Sequence, residues 1–157
     1  MAYKVFVSYS TKDIPDANAL RTFLQFPEVE CFVSEYAIAP GAPIAQTTKT
    51  AILGCDLFVL LWSTNAMASE WVNQEIGIAH GNHKPILPFV LEQGLSLPGF
   101  IKDLRYVAAY QNPQQAMFSL RETVLRNSMA KQSQQALGAL AIGGLLILAL
   151  VGMSKSS

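Results

Sequence analysis

Trp71 and Glu75, one helical turn apart, are the residues of this chain whose types and spacing best suit chemistry. They follow Ser69, and the sequence predicts a helix beginning there, because a serine hydroxyl at the N-cap accepts a free backbone N–H. Positions i and i+4 share one helix face, which puts the indole beside the carboxylate. An aromatic plate next to a carboxylate can bind a sugar or a nucleotide. In an arbitrary helix, however, the same pair is more often a packed tryptophan beside a solvated glutamate.

An apolar run, 56–62, precedes this helix and has the composition of a strand covered on both faces. Similar runs alternate with helical patterns along the first 130 residues, which predicts right-handed crossovers and a parallel sheet. We therefore predict an α/β fold, a flavodoxin-like doubly wound sheet of five parallel strands. Its ligand crevice would lie at the carboxyl ends of the strands. The predicted strands cover residues 3–9, 29–33, 56–62, 84–90 and 106–109, and the predicted helices cover 13–26, 44–53, 69–80 and 112–129.

The composition excludes several classes of function. A chain of 157 residues has room for one domain and little more. Its 11 basic and 11 acidic residues balance, and it lacks the basic patches with interleaved aromatic residues that nucleic-acid binders carry. Cys31 and Cys55 have no metal or redox spacing, so we interpret them as reduced thiols of a cytosolic protein. His80 and His83 lack further ligands, so we predict no metal site.

The apolar residues are concentrated near the end of the chain. No residue between Lys131 and Lys155 is charged, and the 18 residues 136–153 form an almost unbroken apolar run. As a helix this run is about 27 Å long, enough to cross the hydrocarbon core of a bilayer. We predict a single-pass transmembrane helix at 136–153, a juxtamembrane linker or helical continuation at 128–135, and a cytoplasmic domain at 1–127. The alternative is a hydrophobic helix buried in a homo-oligomer or packed against its own domain.

Several motifs together resemble those of the Toll/interleukin-1 receptor (TIR) domain family, over residues 1 to about 127. They are Val5-Phe-Val-Ser-Tyr-Ser10 with Asp13, Ala39-Pro40-Gly41-Ala42 with Ile52, and Ser63…Ser69-Glu-Trp71…Glu75. The resemblance implies that Glu75 is the catalytic residue of an enzyme that cleaves NAD⁺ between ribose and nicotinamide. It implies that Trp71 helps to bind the nucleotide. It also implies that the loop carrying Tyr36, Pro40 and Gly41 governs self-association and access to the site.

Four further residues are predicted to contact the substrate. The resemblance places Phe32, at the end of the second strand, on the nicotinamide side of the site, although core packing explains this residue equally well. Ser10 and Lys12 lie after the first strand, where they can meet ribose or phosphate. Ser63 ends the third strand, and a hydroxyl at a strand end is as often a turn former as a ligand contact.

One carboxylate is enough for the reaction that the resemblance implies. Glycosidases generally use two, one of which protonates the leaving oxygen. NAD⁺ carries a cationic pyridinium as its leaving group, and so nicotinamide departs neutral without a proton. A single carboxylate then stabilises the oxocarbenium-like ribosyl centre. NAD⁺ is the substrate and no cofactor is predicted; attack by water gives ADP-ribose, and attack by the adenine gives a cyclic product.

Two functions from different classes fit these features. The first is a membrane-anchored TIR domain that cleaves NAD⁺ on self-association, in immune or antiviral defence. The second is a non-catalytic assembly module that signals, or perturbs the membrane, by clustering. The predicted partners are further copies of this chain, the membrane, and a heterotypic TIR or defence protein, with no nucleic acid among them.

Overall fold

The alternating apolar runs form a parallel sheet, seen in a computed structural model that describes residues 2–33, 46–136 and 153–155. The strands are β1 (Tyr3–Ser8), β2 (Val29–Val33), β3 (Leu57–Trp62), β4 (Ile86–Val90), β5 (Arg105–Ala108) and β6 (Met153–Lys155). They lie in the order β2-β1-β3-β4-β5-β6, and the first five are parallel to one another. The predicted five-stranded parallel sheet is therefore confirmed. The short β6 extends it by pairing antiparallel with β5.

Helices cover both faces of this sheet. They are α1 (Ile14–Phe23), α2 (Gln46–Gly54), α3 (Thr64–Met67), α4 (Glu70–Gly81) and α5 (Pro113–Ala136), with 3-10 turns at Thr11–Asp13 and Gly99–Ile101. Successive strand residues point to opposite faces. Val5 and Val7 of β1 accordingly pack with α1 and α5, whereas Phe6 packs with α2 and α4. Every residue of β3 is buried, as the sequence predicted for a strand covered on both sides.

Pro88 lies within β4, which pairs in regular register with β3 from Ile86 to Val90. Alternate backbone groups point to opposite neighbours, and the carbonyl of Val90 accepts from Tyr110 after β5. The backbone nitrogen of Pro88 therefore also points toward β5. Pro88 comes one residue before the β4–β5 pairing starts at Phe89. The missing N–H of the proline consequently removes no hydrogen bond from the sheet.

The long helix α5 continues through the segment for which the sequence left linker or helix open. Within the described residues this segment is helical as far as Ala136. The Asn127 side chain donates to the Tyr3 hydroxyl at 3.1 Å, and Lys131 Nζ lies 2.8 Å from an Asp56 carboxylate oxygen. The helix thus stays attached to the domain beyond residue 127.

Two sequence predictions concern residues that the structure mostly does not describe. The predicted membrane helix falls outside the described residues except at its ends, Ala136 in α5 and Met153 in β6. β6 pairs with β5 of the domain, whereas a single-pass helix at 136–153 would carry Met153 to the other side of the bilayer, so the structure disagrees with the prediction at this end. Among the helices that are described, none combines the length and the apolarity needed to span a bilayer. The predicted self-association loop, with Tyr36, Pro40 and Gly41, also lies outside the described residues.

Candidate active site

Glu75 is completely buried, which is unusual for a glutamate in a surface helix. The helix α4 starts where the sequence predicted, because the Ser69 side chain accepts from the backbone N–H of Val72 at 3.2 Å. Val72, Ile76 and Ala79 form the buried stripe of this helix at helical spacing. Glu75 falls within that stripe, and so its carboxyl group faces the sheet rather than the solvent.

One partner of this carboxylate is Ser8, the last residue of β1. The Ser8 hydroxyl donates to Glu75 Oε1 across 2.6 Å, and both residues are completely buried. This distance lies at the short end of the range for hydrogen bonds between oxygen atoms. The contact places a carboxyl oxygen of Glu75 at the carboxyl end of a central strand, where doubly wound sheets hold their ligands.

Trp71 and Phe32 are the two aromatic residues that the sequence predicted for the site. Trp71 lies on the same helix as Glu75, and Phe32 lies on β2, next to β1 in the sheet. Trp71 is half-buried and one turn before Glu75 on α4. Phe32 of β2 is 40 % exposed and stacks on Phe6 of β1, which stacks in turn on Phe58 of β3, with 5.4 Å between ring centroids in each pair. Phe6 and Ser8 point to the same face of β1, so this aromatic row shares a side of the sheet with Glu75.

Ser63 belongs to a second polar cluster at the same edge of the sheet. Its hydroxyl donates to Asp13 Oδ2 at 2.5 Å and accepts from the backbone N–H of Ala66 at 3.0 Å, which caps α3. Asn65 donates to the other oxygen of Asp13 at 2.9 Å. Asp13 follows β1 and Ser63 follows β3, and so the cluster joins the ends of two neighbouring strands. We name it the Asp13 brace.

Comparisons with known proteins establish the family of the chain. The family model for the TIR domain matches residues 5–122, which are three quarters of the sequence. The chain belongs to the TIR family. Its fold is similar to the TIR domain of the Toll-related receptor TRR-2 from Hydra magnipapillata, with a TM-score of 0.62 and 18 % identity, covering 82 % of this chain and 99 % of that one. No protein of curated function matches.

Two solved structures show a weaker likeness to this TIR domain. The TIR domains of the Roq1 resistosome recognising the pathogen effector XopQ give a TM-score of 0.47 at 21 % identity and 57 % coverage of both chains. The CMP N-glycosidase BcmB of Clostridium botulinum gives 0.43 at 24 % identity, over 58 % of this chain and 71 % of that one. Neither score is high enough to support an argument about this chain.

The remaining predicted contacts of this TIR domain lie in the loop after β1. Ser10 is buried and accepts from the backbone N–H of Lys12 at 3.2 Å, which caps the following 3-10 turn. The side chain of Lys12 is exposed. Ser10 and Ser63 thus both have local structural partners, and their contacts with substrate stay predictions, as do those of Lys12.

Sequence reasoning missed Ser8 and the full Asp13 brace. The signal for Ser8 was present, because Phe6 and Ser8 alternate onto one face of β1 and Ser8 ends the strand at the crevice. The brace also has a neighbour that was not predicted, since the Glu92 carboxylate after β4 accepts from the backbone and hydroxyl of Thr64 at 2.6 and 2.9 Å. The contact of Ser8 with Glu75, the Asp13 brace and the contact of Glu92 with Thr64 all join residues far apart in the chain.

The two cysteines of this TIR domain are unsuited to nucleophilic chemistry. Burial raises the pKa of the Cys31 thiol to about 11, despite the opposing charge of Arg21. Burial also raises the pKa of the Cys55 thiol to about 11, with Lys84 opposing the shift. Both are therefore neutral near pH 7, and the thiolate is the reactive form. The described part of the chain contains no group of three or more His, Cys, Asp or Glu residues placed to hold a metal.

Proposed function

We propose that this chain is a membrane-anchored TIR domain that cleaves NAD⁺ between ribose and nicotinamide when its domains self-associate. The observation that supports this most is the position of the Glu75 carboxylate, buried at the carboxyl end of β1 and bound to Ser8. A glutamate with no role in a site normally extends into solvent, because burying a charge costs free energy. At this edge of the sheet, a buried carboxylate suits stabilisation of a developing positive charge.

In the proposed reaction, one carboxylate stabilises an oxocarbenium-like ribosyl centre while nicotinamide leaves as a neutral molecule. A carboxylate in surroundings with little water interacts strongly with that charge, and such groups typically contribute a few kcal/mol. Asp13 is a poor candidate for a second acid, because both of its oxygens already accept hydrogen bonds from Ser63 and Asn65. Glu75 is therefore the group that we assign to catalysis, and Trp71 and Phe32 are the aromatic residues assigned to the nucleotide.

The complete burial of Glu75 also bears on how the activity is controlled. No substrate can touch a carboxylate that is fully enclosed, so neighbouring groups must move before NAD⁺ reaches it. We propose that self-association drives this change, with the loop of Tyr36, Pro40 and Gly41 taking part. Anchoring by residues 136–153 requires Met153–Lys155 to separate from β5 and cross the bilayer. The anchor then confines the domains to two dimensions and raises their effective concentration, which favours association.

Release of nicotinamide by the purified full chain, clustered on liposomes, tests this proposal. We expect release from the natural sequence and a loss of at least a hundredfold in Glu75→Gln, which keeps the shape but removes the charge. Glu70→Gln is the matched control, since Glu70 is an exposed carboxylate on the same helix. Equal release by Glu75→Gln, or none by the natural sequence, would remove the enzymatic proposal.

The same burial favours a second function, a non-catalytic assembly module. A fully enclosed carboxylate bound to Ser8 can also serve only to hold α4 on β1. This function predicts that Glu75→Gln, if it folds, keeps signalling or toxicity in cells. Substitution of Pro40 or Gly41, or deletion after Lys131, would then abolish the effect. The NAD⁺-cleaving function requires the same loop and anchor, so the two functions differ in the outcome of Glu75→Gln.

A further inference from the structure

A concavity lies on the face of the sheet opposite Glu75. It is a cavity of about 220 Å³ between the sheet and the first turns of α1 and α5. Leu61 of β3 and Phe89 of β4 line it on the sheet side, and Ala19 of α1 and Met117 of α5 line its helical sides. Leu61 and Phe89 belong to the core that packs with α1 and α5, whereas α4 packs on the other face. The cavity is therefore separate from the candidate active site.

One charged side chain, Asp16, lines this otherwise mainly apolar cavity. Burial of the Asp16 carboxylate raises its pKa, and the charge of Asp13 raises it further. No lysine or arginine lines the cavity, and within the described residues Asp16 forms no ion pair. Asp16 is exposed, so its carboxylate lies at the open rim of the cavity and keeps contact with water beside the apolar lining. The charge of the cavity thus complements a positively charged occupant.

The volume limits the size of that occupant. An engineered apolar cavity of about 150 Å³ accepts benzene. A cavity of about 220 Å³ consequently holds a ring of that size together with a short alkyl arm. We propose that this cavity binds a small primary amine with an aromatic body, the ring lying against Leu61 and Phe89 and the ammonium group pairing with Asp16. The proposal is independent of NAD⁺ cleavage, because it involves none of the residues around Glu75.

Calorimetric titration with 2-phenylethylamine tests the proposal on the full chain held in lipid nanodiscs, with empty nanodiscs subtracted. The neutral 2-phenylethanol and the anionic 3-phenylpropionate have similar shape and serve as matched ligands. We expect saturable binding of the amine, weaker binding of the alcohol, and none of the acid. Asp16→Asn should weaken amine binding about twofold to fivefold, as expected of one exposed ion pair, and leave the alcohol unchanged.

Two variants and one control locate the binding. Ala19→Leu adds three carbon atoms on the cavity wall and should abolish binding of both amine and alcohol. Asp103→Asn, at an exposed carboxylate elsewhere, should bind the amine like the natural sequence. Glu75→Gln should also leave amine binding unchanged. The proposal is overturned if no saturable binding occurs, if Ala19→Leu binds normally, or if amine and alcohol bind equally to both the natural chain and Asp16→Asn.

Discussion

At the scale of single residues, the hydrogen bond from Ser8 to Glu75 joins positions 67 apart in the chain. It engages one carboxylate oxygen and restricts the rotation of the side chain, which leaves the group oriented for one approach of substrate. Hydrogen bonds to charged groups contribute about 1.5–3 kcal/mol. We therefore predict that Ser8→Ala lowers the kcat of the proposed nicotinamide release about tenfold to a hundredfold, with a smaller change in KM.

Two comparisons separate this positioning role from loss of folding. Ser8→Thr keeps a hydroxyl donor and should recover part of the activity, whereas Ser128→Ala removes another buried serine, on α5, and should leave the activity unchanged. Full activity in Ser8→Ala would show that Ser8 does not position Glu75.

At the scale of elements, the Asp13 brace holds the loops after β1 and β3 together. Asp13 is buried and accepts from Ser63 and Asn65, so its removal leaves two side chains without their acceptor. We predict that Asp13→Ala lowers the free energy of unfolding by about 2–3 kcal/mol. Urea denaturation should show a lower midpoint with an unchanged slope, and Asp103→Asn should denature like the natural sequence. A midpoint unchanged in Asp13→Ala would mean that the brace contributes no stability.

The attachment of α5 to β1 predicts a pH dependence of stability. Burial raises the pKa of Tyr3 from 10.0 to about 12, with the bond from Asn127 partly opposing the shift. Between these values the unfolded chain has lost the phenolic proton and the folded chain retains it, so stability falls as the pH rises. Cys31 and Cys55 add a similar loss between 9.0 and about 11. Denaturation of Tyr3→Phe should show a shallower fall above pH 10.0 than the natural sequence; equal slopes would contradict the assignment.

The order of the elements was predictable from the sequence, and several contacts between them were not. Alternation of apolar runs with helical patterns is a local signal, and it predicted all five parallel strands and the start of α4 at Ser69. α3 has only four residues and therefore no periodicity to detect. The contacts of Ser8 with Glu75 and of Asp13 with Ser63 depend on which strands become neighbours, and local patterns do not specify the partners.

At the scale of the whole molecule, α5 connects the two ends of the sheet. It begins at Pro113, just after the carboxyl end of β5, and Lys131 contacts Asp56 and the Ala2 carbonyl at the amino ends of β3 and β1. A helix from residue 113 to 131 is about 28 Å long. The chain thus passes residue 131 at the pole of the domain opposite Glu75. In the proposed anchored state, the candidate active site then faces away from the bilayer.

Energy transfer from the protein to a lipid-bound acceptor tests this orientation. A donor at Gln132, near the proposed membrane, should transfer strongly, and a donor at the exposed Met67, at the carboxyl edge of the sheet, should transfer weakly. Labels attached through Met67→Cys and Gln132→Cys require a background in which Cys31 and Cys55 are alanine, with folding checked by circular dichroism. Detergent solubilisation should abolish both signals. Equal transfer from the two positions would place the domain on its side against the lipid, and a site held away from the bilayer would have to be abandoned.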